Sequence, residues 1–163
     1  MARNLDNALD NVEMTYQDAI LIANDMCADF FKEINEFIEK IKTKINTIGT
    51  DDLRLAILHL SLKSFSLADT KEKTLLKQEI AETLRKEKYS QIFNSTDGSI
   101  GIRENTAVLQ SSEEIVVELI YDYVASAFKT KVDEVHRIVD SLKTILMSKM
   151  QELKITNSNM EAI

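Results

Sequence analysis

Apolar residues recur in the first third of this chain at steps of three and four: Ile20, Ala23, Cys27, Phe30, Ile34, Phe37 and Ile41. An α-helix turns once per 3.6 residues, so this rhythm lines one helix face and gives it a seam to pack. Phe31, Ile38 and Ile45 widen the stripe, so a helix over most of residues 5–47 is expected to touch more than one neighbour. Gly49 stands where a C-terminal cap belongs. Thr50-Asp51-Asp52 then reads as an N-cap followed by first-turn acids, which favour the positive end of a helix dipole.

Residues 53–67 are ambiguous. Leu53, Leu55 and Ile57 alternate as in a strand, and so do Leu58, Leu60 and Leu62, but the phase slips between Ile57 and Leu58. With a helix start in front of it, the segment reads as a helix buried nearly all round. Asp69-Thr70 is the next capping signal and predicts a helix over 71–93, with Leu76, Ile80, Leu84 and then Ile92 or Phe93 turned inward. Residues 94–101 are the dense cluster of turn formers. Beyond them a helix is expected over 102–154, either continuous or broken near Ser111-Ser112-Glu113-Glu114, which fits a capping box. Phe128, Val132, Val135, Val139, Leu142, Leu146 and Leu153 continue a coiled-coil-like seam. Unbroken, that helix would span roughly 75 Å, too long for a compact monomer of this mass. The expectation is therefore a homo-oligomer whose copies meet along Phe128, Val132, Val135, Val139, Leu142 and Leu146.

Composition sharpens the fold class. The 163 residues include three glycines and no proline, and a sheet protein of this size needs many tight turns built on such residues. The chain is expected to be all-α: an elongated helical bundle with long coiled-coil-like N- and C-terminal helices. It reads as one domain over 1–154, with helices in 5–93, a loop at 94–101, the long helix 102–154 and a flexible tail at 155–163. No apolar run is long enough for a membrane span, and the N-terminus lacks the apolar core of a signal peptide. The single cysteine, Cys27, suits a reducing compartment, so a cytoplasmic location is expected.

The net charge of −7 is unevenly spread. Residues 1–52 hold five basic and eleven acidic side chains, residues 53–103 nine basic and six acidic, and residues 104–128 five acids and no base. Catalysis has little to draw on. His59 and His136 stand on separate helices; Asp133 and His136 share a face, but the second pair a di-metal carboxylate site needs is missing. Cys27 lies on an apolar seam, which disfavours a thiolate. Asp97-Gly98-Ser99-Ile100-Gly101 lacks the lysine and the preceding strand of a phosphate-binding loop. No enzyme, metal site or cofactor is expected.

Leu84-Arg85-Lys86-Glu87-Lys88-Tyr89-Ser90-Gln91-Ile92-Phe93 sets three cations and two aromatics before the loop, with Arg103 after it. Cations neutralise phosphates and aromatic rings stack on unpaired bases, so the combination suits single-stranded nucleic acid; a solvated helix face is the plainer alternative. A sparser basic scatter follows at Lys129, Lys131, Arg137, Lys143 and Lys149.

At this stretch the sequence resembles the phage UvsY recombination-mediator family, over roughly residues 70–150. The likeness runs from Leu84-Arg85-Lys86-Glu87-Lys88-Tyr89 through the polar loop Asp97-Gly98 to a charged restart at Ile102-Arg103-Glu104. A helix with Tyr121, Tyr123 and Phe128 follows, ending in Ser-Leu-Lys at 141–143. The resemblance implies a non-enzymatic, oligomeric helical mediator in the host cytoplasm that binds single-stranded DNA and helps a recombinase replace the single-strand-binding protein. It would make Arg85, Lys86 and Lys88 the DNA-contacting cations, Tyr89 a stacking residue and Arg103 their flank across the loop. The alternative is a structural or adaptor helical protein, such as a phage-particle component, acting only through protein contacts.

Overall fold

The computed structural model describes the backbone of residues 2–161 and the side chains of residues 16–156. Among them are four helices and no strand: α1 (Ala2–Lys44), α2 (Thr50–Ser95), α3 (Ile100–Gln110) and α4 (Ser112–Glu161). The all-α expectation holds, and several predicted boundaries move.

The turn between α1 and α2 needs no left-handed residue. Thr47 and Ile48 both donate backbone hydrogen bonds to the Lys44 carbonyl, at 2.9 and 2.8 Å, and so close the end of α1. Gly49 does not cap α1 as expected; its carbonyl accepts the first bond of α2, from Leu53 N at 3.0 Å. Asp51 and Asp52 occupy the first turn of α2, where the dipole favours them. The glycine that does adopt a positive φ, 124°, is Gly98 between α2 and α3.

Helix α2 continues through Asp69-Thr70, where a new helix start was expected. Neither proline nor glycine interrupts the stretch, and a threonine can stay in a helix by donating to the carbonyl four residues back. Thr74 Oγ1 donates to Thr70 O in this way at 2.8 Å. The C-terminal region divides at Ser111, the broken alternative. Ser111 is buried, has φ −101° and ψ 13°, and its hydroxyl donates to Ala107 O at 2.8 Å. That hydroxyl serves the end of α3, while Glu113 and Glu114 fall in the first turn of α4. Residues 155–161, expected in a flexible tail, continue α4; Thr156 Oγ1 donates to Glu152 O at 2.9 Å.

The chain packs as two compact units: a first of Met1–Ala28 with Thr70–Ala127, and a second of Asp29–Asp69 with Phe128–Ile163. In the second unit the core is apolar: Ile34, Ile38 and Ile41 of α1, Leu53, Ala56, Leu60 and Leu67 of α2, and Phe128, Val135, Val139 and Leu142 of α4. The rings of Phe30 and Phe31 stand edge-on to Phe128, with centroids 5.4 and 5.1 Å away. The first unit buries smaller and more polar side chains: Ala19, Ala23 and Cys27 of α1, Thr74 and Ala81 of α2, Ala107 and Ser111, and Val124 and Ala125 of α4.

Helix α2 corrects two expectations. The segment 53–67 is helical but not buried all round, because Leu55, Leu58, Leu62 and Phe65 are exposed. Leu76, Ile80 and Leu84, expected inward, also face solvent, and Thr74 and Ala81 take the interior. Residues two apart on an α-helix point about 200° apart. The strand-like alternation of 53–67 is therefore the mark of a helix apolar on two opposite faces, of which one packs in its own unit.

Candidate functional site

The basic segment lies on the last turns of α2, but its cations do not share a face. Arg85 and Lys88 turn toward α4. Arg85 Nε donates to Glu118 Oε2 at 2.5 Å, and Lys88 Nζ to Glu114 Oε1 at 2.6 Å. Gln78 Nε2 extends the series to Asp122 Oδ1 at 3.0 Å. In these three contacts the donors come from α2 and the acceptors from α4, so two cations of the base-rich 53–103 are neutralised by acids of the base-free 104–128. The hydrogen bond from Lys88 holds the Glu114 carboxyl below its ordinary range. Glu114 Oε2 is enclosed without a hydrogen-bond partner.

Lys86 points elsewhere. It pairs with Glu82 one turn back at 2.5 Å, keeps a side chain 64% exposed, and draws the Glu82 carboxyl below its usual range. Tyr89 stacks on Phe93, with centroids 6.2 Å apart and planes within 14°. Arg103 lies over the other residue of that pair, its guanidinium carbon 4.2 Å from the Phe93 ring centre, and its Nε donates to Phe93 O at 2.8 Å. That bond satisfies a carbonyl in the last turns of α2, where a helix leaves acceptors unmet. Five residues expected to form one DNA-binding surface thus divide three ways: Arg85 and Lys88 pair with glutamates of α4, Tyr89 and Arg103 are half-buried against Phe93, and Lys86 is exposed.

The expected oligomer seam on α4 is likewise placed differently. Phe128, Val135, Val139 and Leu142 are buried within the single chain, and Val132 and Leu146 are half-buried. Side chains already covered in this way offer little surface to another copy.

Sequence reasoning missed one close polar pair. Ser64 Oγ lies 2.6 Å from His136 Nε2, between α2 and α4 of the second unit. The distance suits a nucleophile and its base. Ser64 is buried among the apolar residues of α2, however, and the bond satisfies a hydroxyl that would otherwise be costly there. Cys27 is also buried, and burial pushes its thiol pKa up, which suppresses the reactive thiolate. Among the described residues no group of three or more His, Cys, Asp or Glu side chains is placed to hold a metal ion. No helix among them is long and apolar enough to cross a membrane.

Two grooves lie beside the exposed apolar stripes. In the second unit, a groove of about 580 Å³ is lined by Phe37, Ile41 and Ile48 on the α1 side, by Leu55, Leu58 and Leu62 of α2, and by Lys40 and Lys44 at its edge. In the first, a groove of about 440 Å³ is lined by Ile80, Ala81 and Leu84 of α2 against Val117 and Tyr121 of α4. The sequence carried the signal for both in the apolar residues left over once the inward seam of α2 is assigned. No family model, curated protein or solved structure matches the chain.

Proposed function

We propose that this chain is an accessory protein that works by helix-to-helix contact with other chains, its own copies first, and not by chemistry at a catalytic centre. A single observation carries the reading: the outer face of α2, where Leu55, Leu58, Leu62 and Phe65 are 64, 56, 60 and 74% exposed beside an apolar groove. Scattered surface leucines are ordinary, but a row at steps of three, four and three is a coiled-coil seam without its partner. A structural or adaptor role, such as that of a phage-particle component, fits this surface. Sedimentation velocity on the full chain across a concentration series tests it. The expected result is mass that rises with concentration; a single-copy particle throughout the series overturns it.

One observation favours a second reading, a mediator that holds single-stranded DNA for recombinase loading in place of the single-strand-binding protein. Lys86, Tyr89, Phe93 and Arg103 bring two cations and two stacked rings to one end of α2, a combination that suits a phosphate backbone and unpaired bases. Against it stand the net charge of −7 and the pairing of Arg85 and Lys88 with glutamates. Fluorescence anisotropy with a labelled single-stranded oligonucleotide separates the two readings. Binding that weakens steeply with added salt and is lost in Lys86→Glu supports the mediator; no binding at low salt removes it.

A further inference from the structure

We infer that the outer face of α2 in the second unit pairs with the same face of a second copy, antiparallel and about a two-fold axis. This rests on the proposal that the chain self-associates, and it names the face, the direction and the anchoring side chain.

The first support is self-complementarity. Along α2 the outward positions are Asp51, Leu55, Leu58, Leu62, Phe65 and Asp69, at steps of four, three, four, three and four. That series is the same read in either direction about the level of residue 60. A closed two-fold interface needs one patch that complements itself when turned around. Antiparallel pairing sets Leu58 against Leu62 of the second copy and Leu55 against Phe65 of the second copy, each contact made twice. Ser61 and Ser66, on the flanks of the stripe, are small enough for the two helices to approach.

Charge chooses the direction. A parallel pair in register would place Arg54 against Arg54 and Asp69 against Asp69. The antiparallel pair sets Asp51 against Asp69 of the second copy, but it also brings Arg54 within about one turn of that Asp69, where it can bridge the two carboxylates. Arg54 already holds Asp51 of its own chain at 2.9 Å, so one guanidinium stands between two carboxylates at each end of the contact. The planar fork of arginine suits such a shared position.

The groove supplies the anchor. Phe65 is the most exposed of the four stripe residues, and turning the second copy around delivers it to the level of Leu55. Leu55 lines the 580 Å³ groove together with Phe37, Ile41 and Ile48. A benzyl side chain from the second copy can enter there and bury its ring among aliphatic groups, while Phe65 of the first copy does the same at the other end. Aromatic side chains seated in apolar pockets carry much of the affinity of such contacts.

The test is sedimentation velocity of the full chain from about 1 to about 200 µM, the range in which a small apolar contact associates. The wild type is expected to dimerise or to form higher even-numbered species. Phe65→Glu should raise the dissociation constant at least about tenfold with helical circular dichroism unchanged, and Leu76→Glu, on the exposed stripe of the first unit, should not. If Leu76→Glu dissociates the assembly and Phe65→Glu does not, this face is the wrong one, and self-association survives. If the wild type stays single at every concentration, the parent proposal fails with it. Direction is read from disulfides in a Cys27→Ser background. Leu55→Cys and Ser66→Cys should cross-link when mixed and not when oxidised separately. With the axis at the level of residue 60, like positions lie ten residues apart for Leu55 and twelve for Ser66, about 15 and 18 Å along the axis in the antiparallel pair, beyond disulfide reach. Cross-linking of each variant with itself would instead show parallel pairing and overturn the inference.

Discussion

Helix α2 buries two different seams. In the second unit its buried side is Leu53, Ala56, Leu60 and Leu67, interrupted by Ser64 with its bond to His136 of α4. In the first unit the corresponding side is Thr74, Gln78, Ala81, Arg85 and Lys88, set against Asp122, Glu118 and Glu114. The apolar seam gains stability from area removed from water, which is large and indifferent to small slips. The polar seam gains much less, since taking charges partly out of water offsets their attraction. It bears on register, because a slip of α2 by one turn toward the start of α4 would carry Lys88 past Glu114 and leave a half-buried charge unmatched. One seam supplies free energy and the other supplies alignment.

This contrast sets the order of expected effects. Phe128→Ala, which empties the apolar seam and removes two edge-on ring contacts, is expected to cost about 3–5 kcal/mol, measured by urea denaturation followed by circular dichroism. A loss of less than about 1 kcal/mol would mean that the second unit is not the stable half. In the polar seam, Glu118→Ala leaves Arg85 half-buried and unpaired, with an expected cost of about 1–3 kcal/mol. The double variant Arg85→Met with Glu118→Leu should recover that loss or exceed wild-type stability, since apolar replacement removes the cost of enclosing charge. A double variant as weak as the single one would show that the pair contributes net free energy in addition to register.

Acid sharpens the comparison further. The Glu114 carboxyl is held below its ordinary value of 4.5 by the Lys88 hydrogen bond, so folding favours its ionised form. Its contribution is complete above pH 4.5 and fades as pH falls through the lower, folded value. Stability between pH 5 and pH 3 should therefore fall less steeply in Lys88→Met than in the wild type. Parallel slopes would show that Glu114 gains nothing from its partner. The smallest effect concerns Cys27, whose buried thiol is expected to react with a disulfide reagent many-fold more slowly in the native protein than in urea. Equal rates would show the α1 part of the first unit open to solvent.

Much of the architecture was legible in the residues. The scarcity of glycine and proline gave an all-helical chain, and Thr50-Asp51-Asp52 marked the start of α2. The seam of Phe128, Val135, Val139 and Leu142 was recognised as apolar, but its partner was not: a heptad stripe looks the same whether the covering helix belongs to its own chain or to another. Asp69-Thr70 misled because capping residues are tolerated inside a helix when a hydroxyl can turn back onto the preceding carbonyl. The candidate DNA-binding cations failed to gather for a reason already visible in the charge map. A base-rich segment followed by one with acids alone tends to pair with it, and Arg85 and Lys88 do so.

Lys149 reaches back to the turn between α1 and α2, where its ammonium donates to Ile48 O at 2.7 Å, across 101 positions of sequence. On the ribosome that carbonyl emerges long before the lysine does, and so do both leucine rows of α2. At about 5–20 residues per second, several seconds separate the synthesis of Asp69 from that of Phe128. Through that interval the leucine rows of α2 wait for α4, so the burial of one of them is completed only after the last third of the chain has been made.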